Sequence, residues 1–269
     1  MNDVKPLALV TGASSGIGFE LARQLAERGY DLVVNAEDDA RLQQAAQEIR
    51  AAGARVEVVR ADLRVPEETE ALFTAATTLG RPLDVVVLNA GVGRGGAFTD
   101  TDLADELKIV DLNVRSTVHL AKLVVRDMAL RDTGRVLVTS SVASMAPGSF
   151  QAVYNASKSF LQSFTEALQN ELKDTGVTLT SLMPGPTETD FFHRADMDDT
   201  KIGRQDKDDP ARVARQGLDA LFSGKDKRVA GSLRTKAQGL AAKVLPDSAK
   251  AQAHRTVAKP GSGERDGTG

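Results

Sequence analysis

The chain has 269 residues, 41% of them hydrophobic and 26% charged, a balance that suits one soluble domain with a sizeable core. Its net charge of −3 offers no broad basic surface to nucleic acid. There is no cysteine, which excludes disulfides, thiolate metal sites and cysteine nucleophiles; no apolar run nears membrane-spanning length, no basic N-terminal stretch precedes one, and a cytoplasmic setting is expected.

Apolar runs alternate with helical patterns along most of the chain. Leu7 to Val10 reads as a buried strand, and Ile17, Leu21 and Leu25 then recur at helical spacing up to a stop at Gly29. Asp31 to Val34 is a second strand, followed by a helix from about Asp39 to Ala52 that ends at Gly53. Val56, Val58 and Val59 make a third strand, and Pro66 suits the first turn of a helix reaching about Leu79. Leu83 to Leu88 is a fourth strand, with one long helix expected from about Leu103 to Leu130. Arg135 to Thr139, a helix over Phe150 to Lys173, and a sixth strand at Val177 to Leu182 follow; Arg228 to Ala230 reads as a short seventh.

This alternation predicts an α/β fold in which a doubly wound, mainly parallel sheet of about seven strands carries helices on both faces. Its ligand site belongs at the carboxyl ends of the strands. Residues 1–259 are expected to form the single domain, and Pro260 to Gly269 a disordered tail. The acid-rich stretch 190–210, with Phe191, Phe192 and Met197, breaks the pattern after the sixth strand and is expected to be a lid over the site, the alternative being a variable surface loop. In the extension 231–259, Leu233, Ala237, Leu240, Val244 and Leu245 follow helical spacing beside the basic Arg234, Lys236, Lys243 and Lys250. The preferred reading is an amphipathic helix packed on the domain or on another subunit, the alternative a membrane-surface helix.

Two patterns carry chemistry. Gly12, Ser14, Ser15, Gly16, Ile17 and Gly18 lie between the first strand and the first helix, where glycines permit a tight turn and the helix N-terminus offers free N–H groups to a pyrophosphate. Tyr154 and Lys158 lie four apart, one turn of helix, so that a cation stands beside a phenol and can lower its pKa from about 10 toward the working range of a general acid and base. A rival chemistry exists in the first pattern, since Gly12, Ser14 and Gly16 also match a hydrolase nucleophile elbow. It is disfavoured because the match sits on the first strand, with no upstream loop to complete an oxyanion hole, and because His119, His193 and His254 lie among charged or helical residues. No cluster has metal-ligand spacing.

The motifs T-G-A-S-S-G-I-G at 11–18, L-N-A-G at 88–91, Asn113, the serines 140–141, Tyr154 with Lys158, and Pro184-Gly185 together resemble the short-chain dehydrogenase/reductase family, over about residues 5 to 230. The resemblance implies a single-domain Rossmann fold and an NAD(P)-dependent oxidoreductase acting on a carbonyl or alcohol. It implies Tyr154 as general acid and base, Lys158 as the group that lowers its pKa and holds the nicotinamide ribose, Ser141 (with Ser140 as fallback) as a hydrogen-bond donor to the substrate oxygen, and Asn113 as holder of a relay water. Asn89, Ala90 and Gly91 would border the adenosine ribose, and Asp62 and Leu63 the adenine, Asp62 being otherwise a strand-end cap. Pro184, Gly185, Thr187 and Thr189 would meet the nicotinamide amide, Thr187 standing where the family usually has a branched apolar residue.

NAD-type members place Asp at the end of the second strand, and NADP-type members place a basic residue nearby. This chain has Ala36 and then Glu37, which would repel a 2′-phosphate and accept from free ribose hydroxyls, so NAD is favoured over NADP unless Arg41 or Arg60 swings in. The competing reading is a non-catalytic dinucleotide sensor or interaction protein on the same fold, which would not need Ser141, Tyr154, Lys158 and Asn113 intact. Candidate pocket residues at Val92 to Phe98, Ala143 to Phe150 and Phe191 to Met197 suggest a small, partly apolar substrate. A homodimer or homotetramer is implied by resemblance.

Overall fold

The computed structural model describes residues 4–241 and 245–263. Seven parallel strands form one sheet in the order β3-β2-β1-β4-β5-β6-β7. They are β1 (Leu7–Thr11), β2 (Asp31–Ala36), β3 (Val56–Arg60), β4 (Leu83–Leu88), β5 (Gly134–Thr139), β6 (Val177–Pro184) and β7 (Lys227–Ala230). The first helices are α1 (Gly16–Glu27), α2 (Asp39–Arg50) and α3 (Pro66–Thr77).

The period of two along the strands divides the core between the two faces. Ala8 and Val10 of β1 and Val85 and Val87 of β4 point to the side of Leu21, Leu25, Leu42 and Ile49 on α1 and α2. Leu7, Leu9, Val86 and Leu88 point to the other side, which holds Leu72 of α3, Leu120 and Val124, and Leu161. The strand order turns back between β1 and β4, and that switch point opens the crevice where a doubly wound sheet takes its ligand.

The expected helix over 103–130 runs through its whole length but is not uniform. α4 (Leu103–Ile109) passes into a π-helical turn over Val110–Arg115 and then into α5 (Ser116–Leu130). The turn contains Asn113, and such wide turns are frequent at functional sites. α6 (Ala152–Glu171) follows β5 after a single 3₁₀ turn at Val142–Met145. The stretch after β6 holds two one-turn helices, α7 (Phe191–Arg194) and α8 (Lys201–Arg204).

Two findings correct the expected layout. Helix α9 (Pro210–Phe222) was not expected, although Asp209 caps it by accepting from the Ala211 N–H at 2.9 Å and Pro210 opens it. Its Val213, Ala214, Leu218 and Leu221 bury against the α1 side of the sheet. The extension 231–259 is also not one helix: α10 (Leu233–Ala241) and α11 (Asp247–Ala258) are separate, with Pro246, which cannot continue a helix, just before α11. Lys243 and Val244, and the side chain of Leu240, lie outside the described residues.

α11 docks on the loop between β5 and α6. Lys250 Nζ donates to the Met145 carbonyl at 3.1 Å, His254 Nδ1 lies 2.9 Å from the Ser149 carbonyl, and Arg255 stacks 5.2 Å from the Phe150 ring centroid. Of the expected disordered tail, residues 260–263 instead form a turn bound to the α7–α8 segment: the Gly263 N–H donates to the Asp199 carbonyl at 2.7 Å, and Arg204 Nη1 donates to the Gly263 carbonyl at 2.9 Å. Residues 264–269 lie outside the described residues.

Candidate active site

The turn after β1 is built for glycine. Gly12 and Gly16 take φ of 66° and 58°, where a side chain is strained. At Gly18 a Cβ would stand 2.1 Å from the Gly12 carbonyl oxygen and 2.4 Å from Asn89 Nδ2, so the turn closes on itself only without one. Ser15 precedes α1 without a side-chain cap, which leaves the first-turn N–H groups of that helix to an outside acceptor. Asn89 braces the turn: its Nδ2 donates to the Thr11 carbonyl at 3.1 Å, and its Oδ1 accepts from Thr139 Oγ1 at 3.1 Å. Thr11 Oγ1 in turn accepts the N–H groups of Asn89 and Ala90 at 2.9 and 3.1 Å. Gly12, Ser14, Ser15, Gly16, Ile17 and Asn89 to Gly91 are all half-buried, the floor of an open groove. The donor set fits a pyrophosphate: a cradle that a Cβ would fill, at an uncapped helix start.

The hydrolase alternative has no base. Among the described residues no histidine bonds Ser14: His119 pairs with Glu70 at 3.3 Å, His193 with Asp198 at 2.7 Å, and His254 lies against the Ser149 carbonyl.

Tyr154 and Lys158 share one face of α6, and the Lys158 ammonium lies 5.9 Å from the phenol ring centroid. Lys158 Nζ donates to the Thr139 carbonyl at 2.9 Å. Beside them, a Cβ on Gly91 would lie 3.1 Å from Asn113 Oδ1 and 3.4 Å from Lys158 Nζ, so the bare glycine lets these two groups approach. Asn113 is fully buried and locked: its Oδ1 accepts from the Val92 N–H at 2.9 Å, and its Nδ2 donates to the Val92 carbonyl at 2.9 Å and to Ser157 Oγ at 3.0 Å. The neighbouring serines divide. Ser140 Oγ donates to the Lys158 carbonyl at 3.1 Å, holding α6, whereas Ser141 bonds Tyr154, accepts from the Ala143 N–H at 3.1 Å and makes only a long 3.4 Å contact to the Pro184 carbonyl.

The expectation that Lys158 lowers the Tyr154 pKa is not met in this state. Burial pushes the phenol up to about 12, against a smaller opposite effect of the Ser141 bond. Burial also pushes the Lys158 ammonium down to about 8. Burial is the largest cause of both shifts, and the ammonium is turned to the Thr139 carbonyl.

At the far end of the groove, neither Arg41 nor Arg60 pairs with the Glu37 carboxylate. Arg64, which the sequence reading passed over, does: its Nη2 lies 2.7 Å from Glu37 Oε2. The same guanidinium grips Asp62, with Nε and Nη2 at 2.8 and 2.7 Å from the two carboxylate oxygens. The Arg64 guanidinium holds the Asp62 carboxyl below its ordinary value. Arg60 is taken by Glu68 at 3.3 Å, and Arg41 by Asp190. Leu63 is buried in the α3 side of the core.

The segment after β6 passes over the groove. Thr187 is buried and donates to the Gly185 carbonyl at 2.9 Å; Gly185 is so close to α10 that a Cβ would meet Thr235 at 2.5 Å. Thr189 packs on the glycine turn, 2.8 Å from where a Gly16 Cβ would be. Phe191 lies 5.1 Å from Tyr154 between ring centroids. Phe192, Ala195 and Met197 form a third apolar cluster with Ala258 of α11, against which Phe150, Phe191 and Ile202 pack.

A phosphate-cradling turn at the switch point, and a lysine, tyrosine, serine and asparagine gathered at the carboxyl ends of β4 and β5, define a dinucleotide-binding oxidoreductase of the doubly wound class. The model of the short chain dehydrogenase family matches residues 6–200, and the chain belongs to that family, whose members act on CH–OH and C=O groups. It is 38% identical over 187 residues to a provisionally named ketoacyl reductase of Streptomyces coelicolor, covering 68% of this chain and 71% of the relative. A short-chain dehydrogenase/reductase from Burkholderia phymatum solved with NAD superposes with a TM-score of 0.77 at 25% identity, covering 84% of this chain and 89% of the other. A short-chain dehydrogenase from Sphingobium yanoikuyae solved with NADPH gives 0.77 at 27% identity, covering 90% of this chain and 96% of the other.

Proposed function

We propose that this protein is an NAD-preferring oxidoreductase that interconverts a small, partly apolar carbonyl compound and its alcohol, with Tyr154, Lys158, Ser141 and Asn113 as the catalytic set. The observation that carries the reading is the gathering of these four side chains beside the glycine turn, with Lys158 Nζ and Asn113 Oδ1 both within 3.4 Å of one point at Gly91. A nicotinamide dinucleotide, when bound, supplies or accepts the hydride. The turn of Gly12, Ser14, Ser15, Gly16, Ile17 and Gly18 holds its pyrophosphate, and Asn89, Ala90, Gly91, Asp62 and Leu63 border the adenosine. Pro184, Gly185, Thr187 and Thr189 line the nicotinamide end.

In the reducing direction Tyr154 Oη gives its proton to the substrate oxygen, and in the oxidising direction it takes that proton back. A phenol with a pKa of about 12 is fully protonated at neutral pH, the form that reduction uses. Ser141 Oγ, beside Tyr154, can exchange its long 3.4 Å contact to the Pro184 carbonyl for a bond to the substrate oxygen, where it stabilises developing charge. Lys158 supplies positive charge beside the phenolate, and Asn113 holds the Val92 backbone that frames the proton path. Residues 190–210 act as the lid, with Phe191 and Met197 as its apolar inner wall.

The preference for NAD rests on Glu37 and Arg64. A 2′-phosphate would meet the Glu37 carboxylate and a guanidinium already held by Asp62 and Glu37. Exposed apolar residues Leu103, Leu107, Val110 and Phe160 along α4, the π turn and α6 support a homo-oligomer. Turnover on a panel of alcohols and ketones tests the whole reading: Tyr154→Phe should lower kcat by about 10²- to 10⁴-fold while NADH still binds. Binding of NADH without turnover on any substrate would favour the sensor. Comparison of kcat/KM with both cofactors on one substrate tests Glu37, and a strong NADP preference would sink that argument.

A further inference from the structure

Three consecutive residues after β6 touch three different parts of the site. The Thr189 methyl packs on Gly16 of the glycine turn, the Asp190 carboxylate pairs with Arg41 in the first turn of α2, and the Phe191 ring lies 5.1 Å from that of Tyr154. Arg41 follows β2 and Asp190 follows β6, and in the sheet β1, β4 and β5 lie between those strands. The ion pair therefore spans the crevice at the β1/β4 switch point, over a groove whose floor, Gly12, Ser14 to Ile17 and Asn89 to Gly91, stays half-buried rather than closed.

The rest of the segment is fixed by other bonds. The Gly95 N–H donates to the Ala195 carbonyl at 2.7 Å, Arg94 pairs with Asp196 at 3.1 Å, the Gly263 N–H reaches Asp199, and the Glu188 N–H donates to the Asp208 carbonyl at 2.9 Å. At the groove end, Asp190 has, among the described residues, a single side-chain bond to the body of the protein, and both partners are about half exposed, 46% and 50%. That end is tied across the groove by this exposed pair and by the packing of Thr189 and Phe191.

We infer that Arg41 and Asp190 are positioning residues: their ion pair is a strap that closes over a bound nicotinamide dinucleotide, slows its release and sets Phe191 against Tyr154. This rests on the dinucleotide reading of the groove given above. The pair joins the β2 and β6 sides of the crevice, above the groove read as the dinucleotide site. Asp190 and Phe191 are adjacent, so loosening the strap also loosens the apolar wall on the substrate side.

The test is the release rate of NADH, followed by its own fluorescence in stopped-flow displacement from the full-length protein. An exposed ion pair is worth up to about a fivefold change in an equilibrium constant, so Arg41→Gln and Asp190→Asn should each speed release about two- to fivefold. The double variant should be no faster than the faster single, and the exchange Arg41→Asp with Asp190→Arg should return the rate toward wild type. The two single variants change the local charge in opposite directions. Plain attraction of the anionic cofactor predicts opposite effects, slower release in Asp190→Asn and faster in Arg41→Gln, and that result would overturn the strap. Unchanged release in both would also overturn it. Asp190→Asn should in addition raise the substrate KM while leaving the urea midpoint in place, which a merely structural role would not do. Failure of the protein to bind NADH or NADPH at all would overturn the reading of the groove itself, whereas NADH bound and released at the same rate in every variant overturns the strap alone.

Discussion

Lys158 should destabilise the fold that it serves. It is 5% exposed, and burial lowers its pKa from 10.5 to about 8. At about 1.36 kcal/mol per pH unit that fall is worth about 3 kcal/mol. Below pH 8 the lysine is charged in both folded and unfolded chains, and the folded state bears the whole penalty. Between pH 8 and 10.5 the folded chain has released the proton while the unfolded chain still holds it, so stability rises with pH through that window and the penalty is gone above it. Tyr154 acts in the other direction but at higher pH: its folded value of about 12 lies above its ordinary value of 10.0, so its contribution is present below pH 10 and is lost toward pH 12.

Replacing Lys158 by Met, of similar length and volume, removes the buried charge. It also strips the Thr139 carbonyl of its 2.9 Å donor, which costs about 1 kcal/mol. The variant should therefore gain about 2 kcal/mol at pH 7 and lose turnover. Urea unfolding at pH 7, 8, 9 and 10 on both proteins checks this, because subtracting the variant cancels every other titrating group. The wild type should gain on the variant as pH rises from 8 to 10. Parallel profiles across that range, or a variant less stable at pH 7, would refute the account of Lys158 as a desolvated ammonium.

Three further substitutions probe the site by geometry. Gly18→Ala puts a Cβ 2.1 Å from the Gly12 carbonyl oxygen, backbone that cannot yield, and should lower stability by about 1–3 kcal/mol and abolish NADH binding in a calorimetric titration. Asn113→Ala leaves the half-buried Val92 N–H and carbonyl without their partner and should cost about 1–3 kcal/mol in urea unfolding, with loss of activity. Gly93→Ala places a Cβ 2.5 Å from Phe191 Cζ, the far end of a side chain that can swing away; the expected result is an altered substrate KM with a stability change of about 1 kcal/mol or less.

What could be read from the chain, and what could not, divides along a physical line. The strands were legible because a parallel sheet buried on both faces demands continuous apolar runs, as in Leu7 to Val10 and Leu83 to Leu88. The glycine turn was legible because its backbone cannot be built otherwise. Helix α9 was missed although its start signals, Asp209 and Pro210, stand in plain view, because they close an acid-rich stretch that reads as loop. The π turn around Asn113 has no compositional mark, since it differs from its flanking helices only in hydrogen-bond pitch. The Glu37–Arg64 and Arg41–Asp190 pairs were hidden for a different reason: their partners are 27 and 149 residues apart and meet only when the sheet brings the ends of β2, β3 and β6 to one rim.

Tyr154 and Lys158 show the limit most clearly. A spacing of four places a cation beside a phenol, and the structure agrees that they are neighbours. The spacing says nothing of the Thr139 carbonyl that turns the ammonium aside, or of the Phe191 ring against the tyrosine, and these belong to the three-dimensional surroundings that set the phenol at about 12 rather than below 10. The proton affinity of this site is thus a property of its burial in the folded chain, which no spacing along the sequence records.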